Sequence, residues 1–200
     1  NYPEPSELIE KHGADAIRIY MLDSPALRGE ELRFAEDGVR EMGRRVLLPW
    51  WNSVSFLMTY AAVDEWDPET QWHVGDPTHE LDVWINVKLE ELKRQVEQEM
   101  AEYRLYRVVD PLLHFLDDLT NWYIRRSRRR FWKSEHSDDK LCAYTTLYSV
   151  LLEFTELMAP FTPFIADQVY ELLRVTPDTQ AVDSVHLRDL PPCRKLSTEE

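Results

Sequence analysis

The chain has 200 residues, 44% of them hydrophobic and 12% aromatic, with a formal net charge of −14. That is enough apolar material for one large domain, or one domain with a small attachment. The acidic balance argues against a general nucleic-acid coat, and no unbroken apolar run approaches the ~20 residues of a membrane span. Cys142 and Cys193 form no CxxC pair, and the six histidines lack zinc-ligand spacing. The expectation is reduced structural thiols in a cytoplasmic protein without a metal site. The first residue is Asn1 and no signal peptide is visible, which reads as a piece of a longer polypeptide.

Residues 1–35 read as a small preceding module. Ser6 suits a helix N-cap and Gly13 a stop, Ala14–Leu22 suits a second helix, and Asp23-Ser24-Pro25 breaks it. A helix is expected over residues 36–62, kinked or split by Pro49, with Trp50 and Trp51 filling the kink. Residues 63–78, acidic and containing Pro and Trp, suit a surface loop. From His79 to Tyr103 an apolar stripe runs Leu81, Ile85, Leu92, Val96, Met100 and Tyr103. A second runs Leu105, Val109, Leu112, Leu116, Leu119 and Tyr123 in a helix expected to reach about Trp132. A third runs Leu141, Tyr144, Tyr148, Leu151, Thr155 and Met158. Thr162 as cap and Pro163 at the first helical position open a last helix through Leu173. Ser184–Leu187 reads as a strand or extended tail. With five glycines and little strand-like alternation, the fold class is all-α, a helix bundle over residues 36–180 with an extended segment over 181–200.

Six of the 23 basic residues fall within the nine positions from Arg125 to Lys133, so the rest of the chain holds 17 against 37 acidic residues. The run Asn121-Trp122-Tyr123-Ile124-Arg125-Arg126-Ser127-Arg128-Arg129-Arg130-Phe131-Trp132-Lys133 interleaves guanidinium groups with aromatic rings. That composition suits a phosphate backbone met by arginine and bases stacked on Trp. The same arginines also suit pairing with the abundant carboxylates, or a helix C-terminus, where cations are favoured. The apolar stripe itself runs into Arg126 and Arg130, which cannot take core positions without partners. The expectation is that this end of the helix projects beyond the bundle or stops near Ser127. Carboxylate pairs such as Asp117-Asp118 and Asp138-Asp139 suit solvated faces or caps. With no glycine-rich phosphate loop, nucleophile elbow or zinc-protease motif, no catalytic residue is assigned.

Several segments resemble class I aminoacyl-tRNA synthetases, and the isoleucine enzymes in particular. Asn1-Tyr2-Pro3-Glu4-Pro5 and Gly13-Ala14-Asp15-Ala16-Ile17-Arg18-Ile19-Tyr20 are similar to the stretch after that family's Lys-Met-Ser-Lys-Ser loop. Asp23-Ser24-Pro25 with Arg28 to Phe34, Val46 to Asn52, Tyr103-Arg104-Leu105-Tyr106, Asn121 through Trp132 and Met158 through Phe164 follow in the family's order and spacing, over about residues 1–175. The resemblance implies a stem-contact module over residues 1–35, a helical anticodon-binding domain over 36–180, and catalytic and editing domains upstream. It implies a tRNA for isoleucine as partner, with no DNA and no membrane. It implies ATP and magnesium for the parent enzyme, and no cofactor or charging activity in this portion. On that reading Asn121 and Arg125, four apart on one helix face, read unstacked anticodon bases. Trp122 and Trp132 supply stacking planes, and Arg126, Arg128, Arg129, Arg130 and Lys133 hold phosphates. The equivalent domain of a valyl or leucyl enzyme, and an acidic helical scaffold for basic protein partners, are the alternatives.

Overall fold

The computed structural model describes residues 4–132, 137–174 and 182–194, and among them every regular element is helical. In chain order these are α1 (Pro5–His12), α2 (Ala14–Asp23), α3 (Glu36–Met42), α4 (Leu48–Asp64), α5 (Glu80–Ala101), α6 (Val109–Asp117), α7 (Arg125–Trp132), α8 (Asp138–Met158) and α9 (Pro163–Leu173). Lys133, parts of the expected 181–200 segment and the first three residues lie outside the described residues.

The expected stripes form the core. Ile85, Leu92 and Val96 of α5, Val109, Leu112 and Leu116 of α6, and Tyr144, Leu151, Thr155 and Met158 of α8 are buried. Trp50 and Phe115 both pack on Phe154, with ring centroids 5.5 and 5.1 Å away. Tyr103 departs from its stripe. The helix ends before it, the residue adopts a left-handed conformation (φ 57°), and its side chain is 92% exposed.

Pro49 does not split its helix, which runs unbroken from Glu36 to Asp64. A π-helical stretch, Gly43–Leu47, joins α3 to α4. A proline ring collides with the carbonyl four residues back in a regular α-helix, and a π turn, bonded five residues apart, widens the helix at that point. The resulting helix, Glu36–Asp64, is long and apolar enough by composition to cross a membrane. Asn52, Ser53, Ser55 and Thr59 interrupt its apolar run, which is why no unbroken stretch is seen. Its inner residues Val46, Trp50, Val54 and Leu57 sit in the bundle core.

Two expected caps are not formed, and Ser184 becomes one. Ser6 lies inside α1, which begins at Pro5. Ser184 caps a 3₁₀ turn, Val185–Leu187, where a strand or tail was expected. Thr162 makes no capping bond to α9. Instead the Asp15 carboxylate of α2 accepts from the backbone N–H of Phe164 (3.4 Å) and Ile165 (2.7 Å). Arg18 donates to the carbonyls of Pro160 and Phe161. A carboxylate at a helix N-terminus satisfies free N–H groups and meets the positive end of the helix dipole. These bonds fasten the N-terminal segment to the α8–α9 turn, and Ile19 of α2 joins the common core.

Candidate nucleic-acid interface

The arginine-rich segment begins in a second π-helical stretch, Asp118–Ile124, between α6 and α7. Beyond Leu119 and Tyr123 the buried positions are Ile124, Ser127, Arg130 and Phe131, so the stripe reaches Arg130 as expected and leaves Arg126 outside. Asn121, Trp122, Arg125, Arg126, Arg128, Arg129 and Trp132 fall on the outward face, all exposed.

The helix neither projects clear of the bundle nor stops near Ser127. It is held to the bundle along its inner face. Phe131 is buried against Phe56 and Tyr144, with ring centroids 5.1 and 4.9 Å away. Arg130, expected to hold phosphate, is 6% exposed and turned inward. It donates from Nη1 and Nη2 to the two oxygens of Asp82 (2.7 and 2.6 Å) and from Nη2 to the Asp139 carbonyl (2.9 Å). The Asp139 carboxylate lies 2.9 Å from its Nε. Burial works against the guanidinium charge, but the bidentate carboxylate offsets this, and Arg130 is held above its ordinary pKa. Arg130 therefore leaves the set of candidate RNA contacts. It anchors the helix that carries the others.

Asp82, wholly buried in the first turn of α5, gathers further donors. The Tyr123 hydroxyl donates to it at 2.7 Å and the Cys142 thiol at 3.3 Å. Burial, reinforced by the Asp82 charge, raises both groups' pKa, which keeps them protonated as donors. Asp82 was not singled out in the sequence, where an acid in a first turn reads as a dipole partner at the surface.

On the outward face Arg126 lies over the Trp122 ring, 4.2 Å from its centroid, and Trp122 is 47% exposed. That contact orients an indole plane and a guanidinium plane together. Trp132 is 58% exposed, and its Nε1 donates to the Tyr60 hydroxyl at 2.6 Å. Among the described residues, Arg125, Arg128 and Arg129 have no carboxylate within salt-bridge distance. Asn121 and Arg125 share this face as expected, and Asn121 Nδ2 donates to Asp117 Oδ1 at 2.6 Å.

Beside Asn121 lies a groove of about 400 Å³ between the Gly43–Leu47 turn and α6, bordered by Arg45, Pro49, Leu113, His114, Asp117 and Asn121. Arg45 stands 76 positions from Asn121 in sequence, so no local spacing connects the two. Among the described residues, no cluster of three or more His, Cys, Asp or Glu is placed to hold a metal ion.

A family model described as the anticodon-binding domain of tRNA ligase matches residues 82–200. Over all 200 residues the chain is 46% identical to the isoleucine–tRNA ligase of Protochlamydia amoebophila, covering 19% of that protein. Over 191 residues, 96% of this chain, it is 44% identical to the isoleucine–tRNA ligase of Chlamydia muridarum, covering 18% of it. The chain thus spans about a fifth of the length of these curated relatives. Two solved structures share the fold at 17% identity. The methionyl-tRNA synthetase of Mycobacterium tuberculosis with methionyl-adenylate has a TM-score of 0.64, covering 97% of this chain and 38% of that one. The LeuRS–tRNA–LeuAMS complex of Agrobacterium radiobacter K84 has a TM-score of 0.59, covering 95% and 21%. With an all-helical bundle, an outward arginine face and a family match over more than half its length, the chain belongs to the anticodon-binding domains of the tRNA ligases.

Proposed function

We propose that this chain is the anticodon-binding portion of an isoleucine–tRNA ligase and that it positions the anticodon arm of a tRNA for isoleucine. The observation that carries the reading is the outward face of α7. Arg125, Arg126, Arg128 and Arg129 are exposed and without carboxylate partners among the described residues, on a chain of net charge −14. In a chain with this excess of acid, unpaired guanidinium groups clustered on one face suit an external polyanion. Trp122 and Trp132 offer stacking planes beside them. The identity to isoleucine–tRNA ligases across the chain supports the choice of amino acid.

In this reading residues 1–35 serve as a stem-contact module, and the aminoacylation chemistry, with ATP and magnesium, belongs to domains outside this chain. The portion itself needs no cofactor and charges no tRNA. It works in the cytoplasm, where its thiols stay reduced. A scaffold in which all the arginines act as internal counter-ions fits Arg130 and not the four outward ones.

Fluorescence anisotropy of the 200-residue chain with isoleucine tRNA, and with a copy altered in the anticodon, over a salt series tests the proposal. The expected result is tighter binding of the intact anticodon and a steep loss of affinity with salt. Equal binding of both copies would place discrimination elsewhere. No binding at low salt would reject the reading.

A further inference from the structure

We propose that the groove between the Gly43–Leu47 turn and α6 receives one unstacked nucleobase of the anticodon loop, and that Arg45 is a specificity-determining residue. This rests on the tRNA reading above.

The chemistry of the groove favours a base over a phosphate. Asp110 and Asp117 border it with His114, so a phosphate there would face two carboxylates. A base edge carries no charge and presents both donors and acceptors. Asn121 is prepared for such an edge. One Nδ2–H is engaged by Asp117, which fixes the amide plane and leaves a second N–H and the carbonyl oxygen. One donor and one acceptor side by side are what a bidentate contact with a base requires. On the facing wall the exposed Arg45 has no carboxylate within salt-bridge distance among the described residues. Its planar fork matches two adjacent acceptors. Pro49 and Leu113 supply apolar surface for the base plane.

The scale and position also fit. About 400 Å³ lies within the range of small-ligand sites, ~300–1,000 Å³. Each wall is adjoined by a π-helical stretch, Gly43–Leu47 on one side and Asp118–Ile124 on the other. Such turns are frequent at functional sites because they displace side chains from the regular helical register. Asn121 borders the groove and also belongs to the outward face of the arginine helix. A loop whose phosphates lie along Arg125 and Arg129 therefore reaches the groove with an adjacent base.

The test uses anticodon stem-loop RNA carrying 2-aminopurine at one loop position at a time, titrated with the 200-residue chain. The expected result is a fluorescence rise at a single position, reporting an unstacked base, that disappears in Arg45→Ala and Asn121→Ala. Arg45→Lys keeps the charge and loses the fork. It should retain the salt dependence of binding while its preference for the native base over a substituted one falls roughly tenfold, the scale of one bidentate contact. Circular dichroism confirms that each variant is folded. If the RNA binds but no position responds, or the response survives Arg45→Ala, the groove is not the receptacle and the tRNA reading stands. If the RNA does not bind at low salt, both fall.

Discussion

Two regions of this molecule use cations in opposite ways. Where α5, α8 and the 182–194 segment meet, every cation named here lies against carboxylates. Lys93, 1% exposed, is bonded to Glu90 and to Glu153 (2.8 Å). Arg194 reaches Glu153 and Arg188 reaches Glu156, each at 2.6 Å. On the outward face of α7, four arginines stand together with no carboxylate in reach among the described residues. Both regions carry several cations, and they differ in whether carboxylates stand beside them. Clustering of charge in sequence is therefore a poor guide to binding until the positions of the counter-charges are known. Buried pairs hold helices together, and unpaired surface cations remain available to a partner.

The largest effect should come from breaking a buried pair. Asp82→Asn removes the buried bidentate carboxylate from Arg130, leaving it only the partly exposed Asp139, and should cost about 3–5 kcal/mol in urea unfolding. The double change Asp82→Leu with Arg130→Met should recover much of that loss, because it removes both charges from the interior. If Asp82→Asn unfolds like the parent chain, the buried anchor carries no weight. Lys93→Met should be comparably costly, because it leaves the buried Glu90 carboxylate without its cation, while Glu153 keeps Arg194.

The outward arginines should behave in the reverse manner. Replacing Arg125, Arg128 or Arg129 with Ala should move stability by no more than about 0.5 kcal/mol. Each replacement should lower the salt slope of tRNA binding by about 0.7–0.9. A variant that keeps the slope removes that arginine from the phosphate contacts. An unchanged slope in all three returns the face to ordinary solvated charge.

Smaller effects sharpen the contrast. Trp132→Phe loses the bond to the Tyr60 hydroxyl and should cost about 0.5–1.5 kcal/mol by thermal or urea unfolding. At the N-terminal end, Lys11 and His12 both engage Glu36, tying α1 to α3. Their hydrogen bonds hold the Glu36 carboxyl at about 2, below its usual 4.5. A lowered carboxylate pKa contributes stability above the unfolded value and loses it as pH falls through the folded one. The contact should therefore weaken between about pH 4.5 and 2, with little change at neutral pH. Carboxyl resonances followed by NMR across an acid titration would show it. A Glu36 midpoint near 4.5 would mean the contact does not form in solution.

Much of the fold was legible because amphipathic periodicity is a local property. Three stripes of apolar residues located α5, α6 and α8, and Gly13 marked a helix end that the structure keeps with φ 81°. Misreadings arose where a distant partner intervened. Thr162 looked like the cap of α9, but Asp15 reaches that helix end from about 150 residues away in sequence. Pro49 looked like a break, but a π turn accommodates it. Arg45 gave no signal, because only the packing of the Gly43–Leu47 turn against α6 brings it to the groove beside Asn121.

The sequence by itself determined that this is a helical chain with one concentrated run of arginine and tryptophan, since both features are written in consecutive residues. Only the tertiary structure decided which arginine turns inward. The apolar stripe ran into both Arg126 and Arg130, and Asp82, 48 positions from Arg130, supplies the buried charge that makes that interior guanidinium tolerable. That pair fixes the inner face of the helix and so leaves Arg125, Arg126, Arg128 and Arg129 to solvent.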